Sequence, residues 1–371
     1  MSEGEQPEKT VGQKLGKAFW LVFKIAFALA IIGYLYVGHW GELSKALGKI
    51  GNIWFFLGCL AVALLLYFLH FLAGVYRWYL LVRTQDINIG LFEAYSITNQ
   101  AFFFSLVIPG GSIGGDLVKA TFIAAKAPEG RRLEGVLSIL IDRIFGSVGL
   151  FVVAGAAGLM SSRFLLDMRF EPLAAELHLS ADMAAKVAHY LPASLIGLIV
   201  LGCVAGLGSV AVMFNYHHFQ KIPLVRRSMD FLDRLSHGRM LKLTNALDQY
   251  RKAPWVIFWC LVLSVFAVHF NLVCVCYVLG VGLGMAVGSV SFFVFLLAIS
   301  LGNVAALLPG SFSGVGPRDL VIYVLLRAGG LETGVALAIP MIFSAIVILF
   351  NLSGSAFFVI GGKERLGKIS E

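Results

Sequence analysis

The sequence predicts an all-α protein that crosses a membrane several times, and three observations carry that prediction. Of its 371 residues, 59% are hydrophobic and only 13% charged, and the mean hydropathy is +0.87, well above that of a soluble domain of this length. Apolar stretches at 18–38, 53–82, 134–160, 193–214, 254–280 and 335–361 each reach the ~20 residues that a helix needs to cross a ~30 Å hydrocarbon core. Two further apolar regions, 91–125 and 288–330, are each cut by a Pro-Gly step.

The first span follows a polar tail, 1–17, with no small-residue cleavage site, so it is expected to stay as an anchor. Loop charges then orient the rest. The segment 215–253 carries eight Lys and Arg against three Asp, which places it on the cytoplasmic side. The segment 161–192 has three basic and four acidic residues and is expected outside. The tails 1–17 (Lys9, Lys14, Lys17) and 362–371 (Lys363, Arg365, Lys368) both read as cytoplasmic, in a protein integral to the cytoplasmic membrane. Within 215–253, Leu224, Met229, Phe231, Leu232, Leu235, Met240, Leu243 and Leu247 recur at near-helical spacing. Two readings fit: a helix lying in the interface, or one packed on the inner ends of the spans.

The same charges constrain the interrupted regions. Span 53–82 should end inside near Arg77 and Arg83, and "KAPEGRR" at 126–132 should also be inside. The chain between must enter and leave on one side, as a re-entrant hairpin over about 91–125. By the same reasoning, 288–330 forms a second hairpin from the opposite side. The alternative is eight simple spans, which would put 126–132 outside against the charge bias.

The two regions also match each other. Pro109-Gly110-Gly111-x-x-Gly114 recurs as Pro309-Gly310-Ser311-x-x-Gly314, 200 residues later. Trp54-x4-Cys59-Leu60 recurs as Trp255-x4-Cys260-Leu261, and His70-Phe71 as His269-Phe270, at offsets of 201 and 199. The prediction is therefore an inverted-topology repeat, 18–160 and 193–361, with six full spans and two re-entrant hairpins. Paired broken segments in two halves point to a transporter's binding site. Non-helical backbone in hydrocarbon must be buried in protein or face a wet cavity, so the tips are expected to meet inside the bundle. Helix N-termini there would attract an anion.

Asp116 and Lys119 follow the first tip, Arg318 and Asp319 the second, and Asp142 and Arg143 sit a turn or two into the span that begins near Glu134. Ionisable residues inside a membrane are functional candidates, and Asp116–Lys119 and Arg318–Asp319 could each pair internally. His70 and His269 fit satisfied core positions better than proton carriers, and Gln100, Asn271 and Asn303 fit interhelical hydrogen bonds as well as a polar path. All five cysteines lie in apolar runs and Cys274-x-Cys276 has no second pair, so no disulfide framework, metal site or cofactor is predicted. Basic residues gather in interhelical loops, which argues for membrane topology rather than nucleic-acid binding. No Walker A loop, HExxH or G-x-S-x-G motif occurs, and the chain is not expected to be an enzyme.

Three patches, "IPGGSIGGDLVKA" at 108–120, "LSILIDRIFG" at 137–146 and "LLPGSFSGVGPRDLVIYVLL" at 307–326, resemble the membrane region of the lysylphosphatidylglycerol synthase/flippase family. On that resemblance Asp116, Arg143, Arg318 and Asp319 take the family's charged positions. Pro317 before Arg318, and Asp319 where Glu is common, depart from its pattern. Two-domain members append a soluble aminoacyl-transfer domain; this chain ends at Glu371, and is expected not to make lysyl lipid. The resemblance implies lipid translocation or handling, with the substrate a membrane lipid. The cations beside the tips favour an anionic one. A non-transporting partner that presents lipid to a membrane glycosyltransferase, and a proton-coupled small-solute carrier, are the competing functions.

Overall fold

The computed structural model of the protein describes residues 33–107, 112–166, 180–219, 221, 239–307 and 315–367. Most of the first predicted span, the tip residues Pro109, Gly110, Gly111, Pro309, Gly310 and Gly314, and the first half of the basic loop lie outside the described residues. The chain is an all-α polytopic membrane protein, with no strand among the described residues. In chain order the helices are α1 (Trp40–Gly48), α2 (Ile53–Thr84), α3 (Leu91–Val107), α4 (Ser112–Lys126), α5 (Arg132–Met160), α6 (Ser162–Leu166), α7 (Ala181–Phe219), α8 (Arg239–Lys252), α9 (Pro254–Gly282), α10 (Phe292–Ala305), α11 (Pro317–Ala328) and α12 (Thr333–Gly367). Of these, α2, α5, α7, α9 and α12 are long and apolar enough to cross a membrane.

Local chemistry sets several of these boundaries. Asn52 caps α2, its Oδ1 accepting from the backbone N–H of Trp54 and Phe55 at 3.0 and 3.1 Å. Pro254 opens α9, where its missing N–H costs nothing. Within α9 the backbone takes π-helical geometry over Leu263–Phe270, which widens the helix beside α5.

The interrupted regions fold as helical hairpins. Helices α3 and α4 have 17 and 15 residues. At 1.5 Å per residue they are ~25 and ~22 Å long, short of a ~30 Å core. Their outer ends meet: Glu93 in the first turn of α3 pairs with Lys126, the last residue of α4. Just beyond, Arg131 pairs with Asp86 at 3.0 Å and donates to the Gln85 carbonyl at 2.7 Å. The chain thus leaves α2 and enters α5 at one place. Close packing near the turn depends on Gly115, where a Cβ would lie 2.4 Å from the Ala101 carbonyl oxygen.

The second hairpin is built alike. Gly329, just past α11, packs on Val294 in the first turn of α10, where a Cβ would lie 2.7 Å from Val294 Cγ1. Ser161, at the far end of α5, donates to the Phe293 carbonyl at 3.0 Å. The two hairpins therefore open at opposite ends of α5.

Three sequence boundaries change. Helix α5 begins at Arg132, so Asp142 is ten residues in, ~15 Å along the axis rather than one or two turns. Helix α7 starts at Ala181 and α12 runs to Gly367, both beyond the apolar stretches, since the helical hydrogen-bond ladder continues through residues that hydropathy excludes. The described half of the basic loop, α8, is packed rather than separate: Tyr250 donates to the Leu81 carbonyl at 3.2 Å and Gln85 to the Ala246 carbonyl at 3.0 Å.

Gly115→Ala is expected to destabilise the protein by ~1–3 kcal/mol, because the clash is with backbone that cannot swing away. Gly58→Ala, with nothing within 4 Å of the added carbon, should be neutral or slightly stabilising. Thermal unfolding of the detergent-purified variants measures the difference.

Candidate functional site

Helix α2 carries His70, Gly74 and Arg77 at spacings of four and three, which puts them on one face. Arg77 is buried, with 7% of its surface exposed, and a buried guanidinium needs partners. Its Nε donates to Asp142 Oδ1 at 2.7 Å, and its Nη1 to Ser264 Oγ at 2.7 Å. Ser264 in turn donates its hydroxyl hydrogen bond to the Cys260 carbonyl at 2.8 Å. One guanidinium thus joins α2, α5 and the π segment of α9. Two glycines of α5 make room: a Cβ at Gly146 would lie 3.3 Å from Arg77 Nη2, and one at Gly149 would lie 2.5 Å from Ser264 Cβ.

Arg143, one residue on and about 100° around the helix, turns to the first hairpin. Its Nε and Nη2 grip the two oxygens of Asp116 at 2.8 and 2.7 Å, a bidentate pair. The predicted Asp116–Lys119 pair is not formed: the carboxylate turns to the Arg143 fork instead. Lys119, 5% exposed, instead lies with its Nζ 3.8 Å from the Trp78 ring centroid. Trp78 is held by its own Nε1–H, which donates to Ser138 Oγ at 3.1 Å. Among the described residues Lys119 has no carboxylate partner and no hydrogen bond.

Arg77, Asp116, Lys119, Asp142 and Arg143 line a cavity of about 280 Å³ between the first hairpin, α2, α5 and α9. The second half contributes His269 from α9, Asn303 from α10 and Leu307 just past it. The charge count is unequal: Arg77, Lys119 and Arg143 face Asp116 and Asp142. One positive charge is left over, and Lys119 carries it. In a low-dielectric site an uncompensated cation is costly, and an anion in the cavity would remove that cost.

Both histidines tie the halves together. His70 Nδ1 lies 3.1 Å from the Val268 carbonyl and His269 Nε2 lies 2.8 Å from that of Gly146. A carbonyl only accepts, so each of those nitrogens carries a proton.

Arg318 and Asp319 form a separate cluster, sealed at 4% and 0% exposure. Arg318 Nε donates to Asp319 Oδ1 at 3.2 Å, and Ser344 Oγ lies 2.9 and 3.0 Å from the two carboxylate oxygens. Tyr36 donates to Asp319 Oδ2 at 3.3 Å, and the guanidinium carbon stands 4.5 Å from the Phe343 ring centroid. Asp319 sits in the first turn of α11, so that helix N-terminus already has its own carboxylate. The structure thus brings Asp116, Lys119, Asp142 and Arg143 together and leaves Arg318 and Asp319 apart. Of the glycines at the tips, Gly114 is described, buried at the start of α4.

Arg77 was read from the sequence as a flanking charge at the inner surface, and Trp78 and Ser264 carried no signal. The spacing of Arg77 seven residues after His70, on one helix face, was the available clue. No group of three His, Cys, Asp or Glu side chains that could hold a metal occurs among the described residues.

The family model for the lysylphosphatidylglycerol synthase TM region matches residues 21–354. The chain belongs to this family. The lysylphosphatidylglycerol synthase membrane region is the flippase-like part of its family, distinct from the catalytic domain, and it relates the chain to lipid handling or flipping. No curated protein and no solved structure matches the chain.

Removing one partner of the Arg77–Asp142 pair should destabilise the protein by ~3–5 kcal/mol, since the other charge stays buried alone. Arg77→Met combined with Asp142→Leu is expected to lose less than the sum of the single variants. Thermal unfolding of the four proteins in one detergent completes the cycle.

Proposed function

We propose that the chain is a lipid translocase of the cytoplasmic membrane that moves an anionic phospholipid or lipid-linked intermediate. The observation that carries this reading is the cavity in the bundle interior, with three cations against two carboxylates and Lys119 without an acidic partner. The head group would sit against Lys119 while acyl chains stay in the bilayer. Asp116 and Asp142 hold Arg143 and Arg77 in place and set the net charge.

The two halves act as an inverted repeat, each with one re-entrant hairpin, and both termini are cytoplasmic. Hairpins too short to cross and opening at opposite ends of α5 support that geometry. Rocking of one half on the other would expose the cavity to each leaflet in turn, with the His70 and His269 contacts at the seam. Arg318 and Asp319 serve packing rather than the cavity, because Ser344 and Tyr36 meet their hydrogen bonds.

In liposomes, the purified protein should speed the transfer of a labelled anionic lipid between leaflets. Lys119→Gln should slow it by ~10-fold or more, the worth of a charge-assisted hydrogen bond. Binding without movement would instead identify a lipid-presenting partner of another membrane enzyme. A cysteine placed at Ser289, in a cysteine-free background, should be labelled only from the external side.

A further inference from the structure

Helix α9 is regular over Pro254–Val262 and again over Asn271–Gly282, and π-helical over the eight residues between them. A π turn closes its hydrogen bonds five residues apart instead of four, so it holds one residue more than an α-helix of the same reach. Four tertiary hydrogen bonds fix this segment and the residue after it. Arg77 Nη1 donates to Ser264 Oγ at 2.7 Å, His70 Nδ1 to the Val268 carbonyl at 3.1 Å, His269 Nε2 to the Gly146 carbonyl at 2.8 Å, and Asn271 Nδ2 to the Leu66 carbonyl at 2.9 Å. Regular helix over the same residues would put the two ends ~100° out of phase and could not make all four. The surplus residue therefore sits where Val268 and His269 line the cavity.

The two arms of α9 differ in how firmly they are seated. The far arm, Asn271–Gly282, buries seven of its twelve residues, and Gly282 lies so close to α2 that a Cβ there would meet Cys59 Cβ at 2.8 Å. Turning it would expose core. The near arm, Pro254–Val262, buries only Ile257 and Cys260 of its nine residues, while Trp255, Phe258 and Trp259 are 73%, 50% and 54% exposed. N–H groups in the first turn of a helix have no helical partner, so a surplus residue can leave at Pro254 without loss of a ladder bond.

We propose that Leu263–Phe270 is a register switch, whose surplus residue travels through the near arm to Pro254 and swings Ser264 off Arg77 as it passes. Each residue passed turns by ~100° and advances ~1.5 Å. The Arg77 Nη1 that Ser264 held then faces the cavity as a free donor, while Asp142 keeps Nε. The far arm stays on α2. The proposal rests on the reading that the cavity is a transport site, and it names the part that moves: one arm of one helix rather than a whole half.

Two native cysteines report the switch. Cys260 on the near arm and Cys276 on the far arm are both 0% exposed. In the unaltered full chain, in phosphatidylcholine nanodiscs, N-ethylmaleimide should modify Cys260 at least ~10-fold faster than Cys276, because only the near arm opens. Site-resolved mass spectrometry reads both rates. Deleting Phe266, which is 62% exposed, removes the surplus and leaves a regular α9 with both arms in phase. That variant should fold, slow Cys260 to the Cys276 rate, and lose the transfer of labelled anionic lipid in liposomes. Equal rates at the two cysteines in the unaltered protein overturn the proposal. So does a Phe266 deletion that fails to fold, since the residue would not then be surplus, or one that folds and leaves the Cys260 rate or the lipid transfer unchanged. Cysteine rates as expected, with no lipid moved by the unaltered protein, would defeat the translocase alone.

Discussion

A single buried guanidinium organises the interior of this protein. Arg77 reaches from α2 to Asp142 on α5 and Ser264 on α9, three helices far apart in sequence, and each bond is 2.7 Å. In a medium with no water to share, a charge placed there must be matched by protein groups, which fixes the mutual rotation and height of all three helices. The π-helical stretch of α9 and the glycines at 146 and 149 read as accommodations to it. They bring Ser264 and its backbone within reach, at the expense of regular helix geometry.

The cavity depends on that bridge. With Asp142 committed to Arg77, and Asp116 gripped by Arg143, both carboxylates near the first hairpin are taken. Lys119 is then left facing an aromatic ring, and the positive excess becomes a property of the site rather than of any one residue. The Arg143–Asp116 pair has a mechanical side too, since it fastens α4 to α5 close to the helix break.

The halves use similar residues to different ends. In the first, the charges after the Pro-Gly step line a cavity; in the second, Arg318 and Asp319 close on Ser344 and Tyr36 and are sealed. The difference lies in what each helix packs against. A hydroxyl from α12 and another from the segment before α1 reach Asp319, and Phe343 covers the guanidinium, so the second cluster is satisfied without a ligand.

Much of the architecture was legible in the sequence. Apolar length gives the spans, since a helix needs a fixed number of residues to cross hydrocarbon, and the Pro-Gly steps mark where each interrupted region divides into two short helices. The motif around Asp116 and Arg143 gave the family and most of the charged residues of the cavity. What the sequence could not give was which charges meet. Asp116 and Lys119 are neighbours along a helix, yet Asp116 bonds a residue 27 positions away. Arg77 looked like a surface flank until its partners, 65 and 187 positions distant, were in place. Pairing is decided by how non-consecutive helices rotate against one another, and by which polar atoms that packing leaves without a partner. Hydropathy and spacing act along one helix at a time, so only the tertiary structure separates a cavity with a spare cation from a sealed ion cluster.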